Sequence, residues 1–299
     1  MRRSTAVALL ILANLFWAGN YIFGKYVINT MEPVQINFLR WFIAAVILFP
    51  LSQIIEKPDW KVIWKEWRIL LLLSILGIIG YNILLYEALY FTTPLNAALI
   101  NSVNPAMIAI FAAWLLKERL SKMNVLGLAV SLTGVLLVLT HGDLLKIFSI
   151  KYNSGDLLML VVIISWTFYT LLSKRLKHLP PIGATAVTVT FSLLLMLPFF
   201  AMSGFSWSFT PAATYGILYL AIFPSVCSLV FWNAAVPVVG ASHAGIFMNL
   251  ITVFTAIISI ILGSGINLFQ IIGGLVVIFG VYLTNRKSVR ASDLVKKPV

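Results

Sequence analysis

Charge is what this sequence has least of. Asp, Glu, Lys and Arg together make up 10% of it, against about 25% in an ordinary soluble domain, too little polar surface for a fold bathed in water. The only cysteine, Cys227, lies inside an apolar run, so no intramolecular disulfide can form and no CxxC pair exists. His141, His178 and His243 are scattered, and no His, Cys or carboxylate cluster has metal-ligand spacing. A GxxxxGK[ST] phosphate loop is missing, and no nucleophile, base and orienting acid can be grouped for hydrolysis. No cofactor is implied, and a membrane-embedded enzyme is left as a minor alternative. The net charge of +12 sits in short loops between apolar runs rather than on a basic face with interleaved aromatics, which argues against nucleic acid as a partner.

What is abundant is apolar: 61% of residues are hydrophobic. A spanning helix takes about 20 mostly apolar residues, and backbone groups in lipid must be satisfied internally. Long runs without strand-like alternation therefore predict an all-α membrane protein rather than a barrel. Ten spans are expected, near residues 5–27, 33–53, 69–91, 94–116, 123–140, 156–176, 182–202, 211–231, 240–262 and 268–285. Arg2, Arg3 and the apolar stretch after them resemble a signal peptide, but no small-residue cleavage site follows, so an uncleaved first helix is expected. Trp60, Trp64 and Trp67, interleaved with Lys61 and Lys65, suit an interfacial anchor better than a regulatory surface helix. The polar segment from Ser288 to Val299 is expected to be disordered.

The sequence is also written twice. Ala88, Ala98, Gly127 and Gly134 recur as Ala234, Ala244, Gly273 and Gly280 at one constant separation. Trp17, Lys25, Pro33 and Pro50 find counterparts in Trp166, Lys174, Pro181 and Pro198 at separations two or three residues longer. Five spans per copy is an odd number, so consecutive copies must lie upside down relative to each other, an inverted repeat around a central cavity. The units expected are a first five-helix repeat over 1–140, an outer linker over 141–155, a second repeat over 156–285 and a cytoplasmic tail over 286–299. Placing the N-terminus inside puts seventeen of the 21 Lys and Arg on the inner side and only Lys25, Lys146 and Lys151 outside. That asymmetry predicts a multi-pass plasma-membrane protein with both termini cytoplasmic.

LFWAGNYIFGK in the first span, Arg40 in the second, the block from LYEALYFTTPLNAALINSVNPAMIAIF to AAWLLKERL, and the run GLAVSLTGVLLVL together resemble the drug/metabolite transporter superfamily, in particular its ten-span EamA-type members. The likeness runs from about Thr5 to Asn285. It implies an export or exchange carrier for small metabolites with a cavity between the halves. The second copy departs from the pattern, with Ile251 opposite Pro105 and Ser264 opposite Glu118, so the copies are not expected to do equal work.

Polar residues inside apolar spans are the candidates for a site. Arg40 is costly near a bilayer centre without a partner or water; it is open to holding a substrate carboxylate or to pairing structurally with Glu87, the acidic residue placed clearly within a span. Glu87 itself suits a substrate ammonium or a coupling proton. Asn82, Tyr86 and Tyr90 form a stripe on one helix face, fit for substrate lining or for interhelical hydrogen bonds. Trp17 and Trp166, with Tyr169 beyond, either wall a cavity or pack. Asn101, Asn104 and Pro105 interrupt the fourth span as a kink or as unwound polar backbone, and His243 is a proton relay or a merely hydrogen-bonded residue. Gly127, Gly134, Gly273 and Gly280 are expected to serve packing.

The expected function is secondary transport of small metabolites, amino acids or related zwitterionic and hydrophobic solutes, by alternating access. A lipid flippase is the main alternative and a channel a weaker one. A monomer suffices to enclose a pathway, and the partners are the small-molecule substrate and the lipid bilayer.

Overall fold

A computed structural model describes residues 1–92, 97, 100, 101–118, 120–140, 142, 143, 145, 148, 153–204, 210–263 and 268–294, with residues 25, 26, 212 and 285–294 in backbone only. Among the described residues every regular element is helical. The helices are α1 (Arg3–Val27), α2 (Pro33–Ile55), α3 (Trp60–Lys65), α4 (Trp67–Leu73), α5 (Tyr81–Phe91), α6 (Asn104–Leu115), α7 (Lys122–Thr140), α8 (Ser154–Ser173), α9 (Pro181–Met202), α10 (Pro211–Leu220), α11 (Leu229–Val239), α12 (Ala241–Phe247), α13 (Leu250–Ile261) and α14 (Leu268–Leu294). Two π-helical segments, Ser74–Gly80 and Ala221–Ser228, join α4 to α5 and α10 to α11.

Eight stretches among the described residues are long and apolar enough to cross a bilayer, and two shorter apolar helices, Asn104–Leu115 and Leu268–Thr284, accompany them. The span expected over 94–116 is described continuously only from residue 100, and most of the 141–155 linker lies outside the described residues. The eighth span runs on to Val239 and stops where Gly240 takes φ +91°, a conformation that favours glycine. The segment after Asn285 differs from expectation: α14 stays helical to Leu294. No Pro or Gly occurs between 286 and 294, and a helix already nucleated in a span extends at little cost through good helix formers.

Two antiparallel pairs frame the bundle. Along α2 and α9, Gln35 near the start of α2 donates to Ser203 and Gly204 past the end of α9, at 3.3–3.4 Å. At the other end the Glu56 carboxylate accepts from the Ile182 and Gly183 amides at 2.9 and 2.8 Å. Those are orphan N–H groups of a helix start, where the dipole also favours an anion. Among the described helices, α7 and α14 make the most extensive contact. A Cβ on Gly134 would lie 2.6 Å from the Gly273 carbonyl, and one on Gly280 would lie 2.7 Å from the Gly127 carbonyl. The four repeated glycines thus meet crosswise, and the absence of side chains lets the two backbones touch, as expected of membrane helix packing.

Breaks recur as well. The chain leaves helix at 102–103, just before Pro105, and again at 248–249, where the next helix position holds Ile251 rather than proline. A break at this place thus forms in the second copy without a proline.

Gly134→Leu would have to push α7 and α14 apart, and overpacking of this kind costs about 1–3 kcal/mol. A lowered melting temperature in detergent is expected. Gly274→Ala, whose new Cβ would make an ordinary 3.6 Å contact with Val253, should melt like the parent. Equal melting of the two variants would remove the seam as a stabilising contact.

Candidate functional site

Arg40 is the eighth of the 23 residues of α2 and is 1% exposed. Its Nε donates to Ser225 Oγ at 2.8 Å, and its Nη1 to Asn20 Oδ1, Asn82 Oδ1 and Tyr86 OH at 3.1, 3.2 and 2.6 Å. Each acceptor is itself fixed. Tyr86 OH donates to Asn20 Oδ1 at 2.9 Å. Asn82 Nδ2 donates to the Gly77 and Ile78 carbonyls at 3.2 and 3.0 Å, and Ser225 Oγ to the Leu220 carbonyl at 2.6 Å. Both π segments thus feed the cluster, one with carbonyls that orient Asn82 and the other with Ser225. Such local widening of a helix is a frequent device at functional sites. The Trp41 ring lies 5.0 Å from the guanidinium carbon, close enough for a cation–π contact.

Next to the arginine is an aromatic cluster. The Trp17 and Trp166 rings meet edge to face at 5.1 Å. Trp232 lies 5.3 Å from Trp17 and 5.7 Å from Trp166, and Tyr81 and Tyr169 each lie 4.9 Å from Trp166. Trp17, Asn20, Arg40, Tyr81, Asn82 and Trp166 help line a cavity of about 20 Å³, room for a water and nothing larger.

A larger vestibule of about 320 Å³ opens at the end of the bundle that carries the basic loops. Leu70, Lys177, Thr185, Thr188, Asn233 and Pro237 are among its walls. Its floor leads to the centre, because Asn233 donates to Thr185 at 3.0 Å and accepts from Tyr169 OH at 2.9 Å, and Tyr169 stacks on Trp166. Gly77 makes room for that tyrosine, since a side chain there would run into its ring.

Of the residues marked in the sequence, Trp17, Arg40, Asn82, Tyr86, Trp166 and Tyr169 come together. Glu87 does not join them. It follows Tyr86 by one position, so it points about 100° round the helix; it is half-buried, and its electrostatic neighbourhood is that of Tyr90 and Glu32. Arg40 is paired with neutral acceptors instead of with Glu87. Asn101 is buried beside the break in its span with its Oδ1 unpartnered, and Asn104 accepts from Thr167 on α8 at 3.2 Å; neither lines the central cavity. Tyr90 is exposed and its hydroxyl reaches the Ile28 carbonyl at 3.5 Å. His243 lies near Arg3 and Glu118, at the basic end. Sequence reasoning missed Asn20, Trp41, Tyr81, Ser225 and Trp232. Two weak signals were present: Asn20 is nearly one turn beyond Trp17, and Trp232 occupies the position in the second copy that Tyr86 holds in the first.

The two copies are also strapped at their ends. Glu118 accepts from the Ala241 and Ser242 amides at 3.1 Å each, from Ser242 Oγ at 2.7 Å and from Lys174 Nζ at 2.6 Å. At the opposite end the Thr92 hydroxyl donates to Asp156, whose other oxygen accepts from the Asn153 amide at 2.9 Å in a capping box. Burial pushes the Glu118 carboxyl up, but the donors from Lys174 and Ser242 outweigh it and hold the group below its ordinary 4.5. A carboxyl depressed on folding adds stability that is fully present above its unfolded value and is lost as pH falls through the folded one. Melting in detergent between about pH 6 and 3 should therefore drop more steeply for the parent than for Glu118→Gln. Parallel pH profiles would show that the strap carries no such linkage.

The EamA-like transporter family model matches residues 4–140 and again 153–286. The chain is 32% identical to the uncharacterized transporter YyaM of Bacillus subtilis over 272 residues, covering 90% of this chain and 89% of that protein. It is 31% identical to an uncharacterized transporter of Archaeoglobus fulgidus, covering 93% and 96%. A solved crystal structure superposes with a TM-score of 0.79 at 18% identity over 95% of this chain and 98% of the other, a likeness of fold. With two matches to one family model, one in each copy of its repeat, the chain belongs to the EamA-like transporter family of the drug/metabolite transporter superfamily.

Proposed function

We propose that this transporter is a secondary carrier, not an enzyme, and that it moves small amphipathic metabolites, amino acids and their relatives first, outward across the plasma membrane by alternating access. The pathway runs between two inverted five-span halves, 1–140 and 156–285, joined by the 141–155 linker, with both termini and the 286–299 tail cytoplasmic. The observation that carries this reading is the contact between Trp17 and Trp166 at 5.1 Å beside the buried Arg40. Equivalent residues of two copies touch when they lie on the axis relating those copies, and an axis through mid-membrane is where an inverted repeat places its substrate. The crosswise meeting of Gly127 with Gly280 and of Gly134 with Gly273 supports the same axis, as does the antiparallel strapping of α2 on α9.

The closed centre supports alternation. A cavity that holds one water must enlarge before a metabolite enters, and the vestibule on the basic, inward side is the face from which it would load. With no ATP machinery in the sequence, the driving force is the gradient of the substrate or of a coupled ion. The wide aromatic surface of Trp17, Trp166, Trp232, Tyr81 and Tyr169 suits the apolar part of a small solute.

One feature favours a lipid-handling variant of this reading: an apolar groove of about 340 Å³ bounded by Val7, Ile11, Phe254, Ile257, Ile278 and Tyr282, open on the side of the bundle. A flippase would use such a lateral opening, whereas a carrier of soluble metabolites would not.

Proteoliposomes loaded with an unlabelled amino-acid mixture should accumulate external labelled amino acid by counterflow. Arg40→Ala and Trp17→Ala should each lower the rate at least about tenfold, the scale of one lost charge-assisted hydrogen bond. If Arg40→Ala and Trp17→Ala both leave transport and selectivity intact, the central site is misassigned; movement of labelled phospholipid between leaflets without counterflow would favour the flippase.

A further inference from the structure

The balance of donors, acceptors and charge around Arg40 says more about the cargo than the shape of the cavity does. Every group that holds the guanidinium is neutral: Asn20, Asn82, Tyr86 and Ser225. The carboxylates that could offset its charge are engaged or remote. Glu56 caps α9, Glu118 holds Lys174 and α12, Glu66 faces His178 at 3.4 Å, Asp59 accepts from the Lys61 amide, and Asp156 accepts from Thr92 and Asn153. Glu32 and Glu87 stand by Tyr90, and Asp143 is exposed beyond the end of α7. The centre therefore holds an arginine charge with no counter-ion among the described residues.

Donors are also in excess. The hydrogen bonds of Arg40 among the described residues leave from Nε and Nη1, so Nη2 is free to donate. The indole N–H groups of Trp41 and Trp166, both residues of the cavity wall, are buried without a partner. Orphaned donors beside an unneutralised guanidinium make a site that lacks acceptors and negative charge. A carboxylate supplies both, and its planar pair of oxygens matches the guanidinium fork. An ammonium would find no free carboxylate there.

We propose, resting on the carrier reading, that the cargo is a small monocarboxylate with net charge −1. Its carboxylate takes Arg40 Nη2 and the Trp41 and Trp166 indoles, and its apolar or aromatic body lies against Trp17 and Trp232. Within the proposed amino-acid class this ranks relatives without a free ammonium group, such as 2-oxo or N-acyl acids, above the amino acids themselves, which then bind as weaker cargo. Once loaded, the site is electrically neutral.

The test uses three one-ring probes of nearly equal shape, benzoate, benzamide and benzylamine, titrated against tryptophan fluorescence of the detergent-purified protein at pH 7. Benzoate should give a saturable change, with benzamide and benzylamine binding at least about tenfold more weakly. Asn20→Asp installs a carboxylate beside Nη1 while keeping the acceptor, and should abolish the benzoate response; Arg40→Gln should do the same. Equal affinity for benzamide and benzoate in the parent protein overturns the proposal without recourse to any variant, as does the absence of a benzoate response up to about 10 mM. So does benzoate binding that survives Asn20→Asp in protein that elutes and melts normally. A protein that counterflows labelled phenylalanine yet shows no charge preference would remove the anion site and leave the carrier; charge-selective binding without counterflow of any solute would do the reverse.

Discussion

A permanent charge inside an apolar helix constrains everything around it. Arg40 cannot face hydrocarbon, so α2 must turn that side inward, and several neighbours must then bring acceptors to within hydrogen-bond distance of one guanidinium. Asn20 comes from α1, Asn82 and Tyr86 from α5, and Ser225 from the π segment before α11. Three of these belong to the first copy of the sequence repeat and one to the second. The arginine is thus a rivet between copies as well as the head of a site, and its burial explains why α1, α2 and α5 are held at one depth.

Around that rivet the scaffold is nearly symmetric and the chemistry is not. Both copies carry a π segment in the third span, a break in the fourth and a glycine pair in the fifth, and the glycine pairs interlock. Yet the position of Arg40 is held by Thr188 in the second copy, and that of Tyr86 by Trp232. In the inverted-repeat reading, symmetry of the frame makes inward and outward forms close in energy, while the asymmetric pair of polar and aromatic walls gives the pathway a single binding place.

Eight spans were legible because hydrocarbon imposes length and polarity on each of them, and the glycines were legible because close approach leaves no room for another residue. The site was half legible. Arg40, Tyr86 and the Trp17/Trp166 pair stand out by type and by repetition, but their partners do not. Asn20 and Ser225 look like ordinary small polar residues of membrane helices, and only azimuth and depth, which a sequence does not encode residue by residue, bring them to the guanidinium. The π segments shift azimuth further: each adds residues to a turn and so rotates the helix beyond it, which is why Asn82 and Tyr86 face Arg40 while Glu87, the obvious ionic partner by sequence, turns away. Pro105 marked the break at 102–103, but the equivalent break at 248–249 forms without a proline and left no such signal.

The arrangement of straps decides which way such a molecule can open. Glu118 with Lys174 and α12, and Glu56 with α9, tie the copies at the basic end, whereas Thr92 with Asp156 and Gln35 with Ser203 tie them at the other. The basic end also has a vestibule, and it stops at Tyr169, which is held by Asn233 on the vestibule side and by Trp166 on the central side. Moving that one ring would join vestibule to cavity without breaking a strap at either end. Opening the opposite face would have to break the Thr92 and Gln35 contacts. The barrier on the vestibule side is therefore a side-chain contact, Tyr169 with Asn233 and Trp166, and the barrier at the opposite end is a packed joint between copies tied by Thr92 with Asp156 and by Gln35 with Ser203.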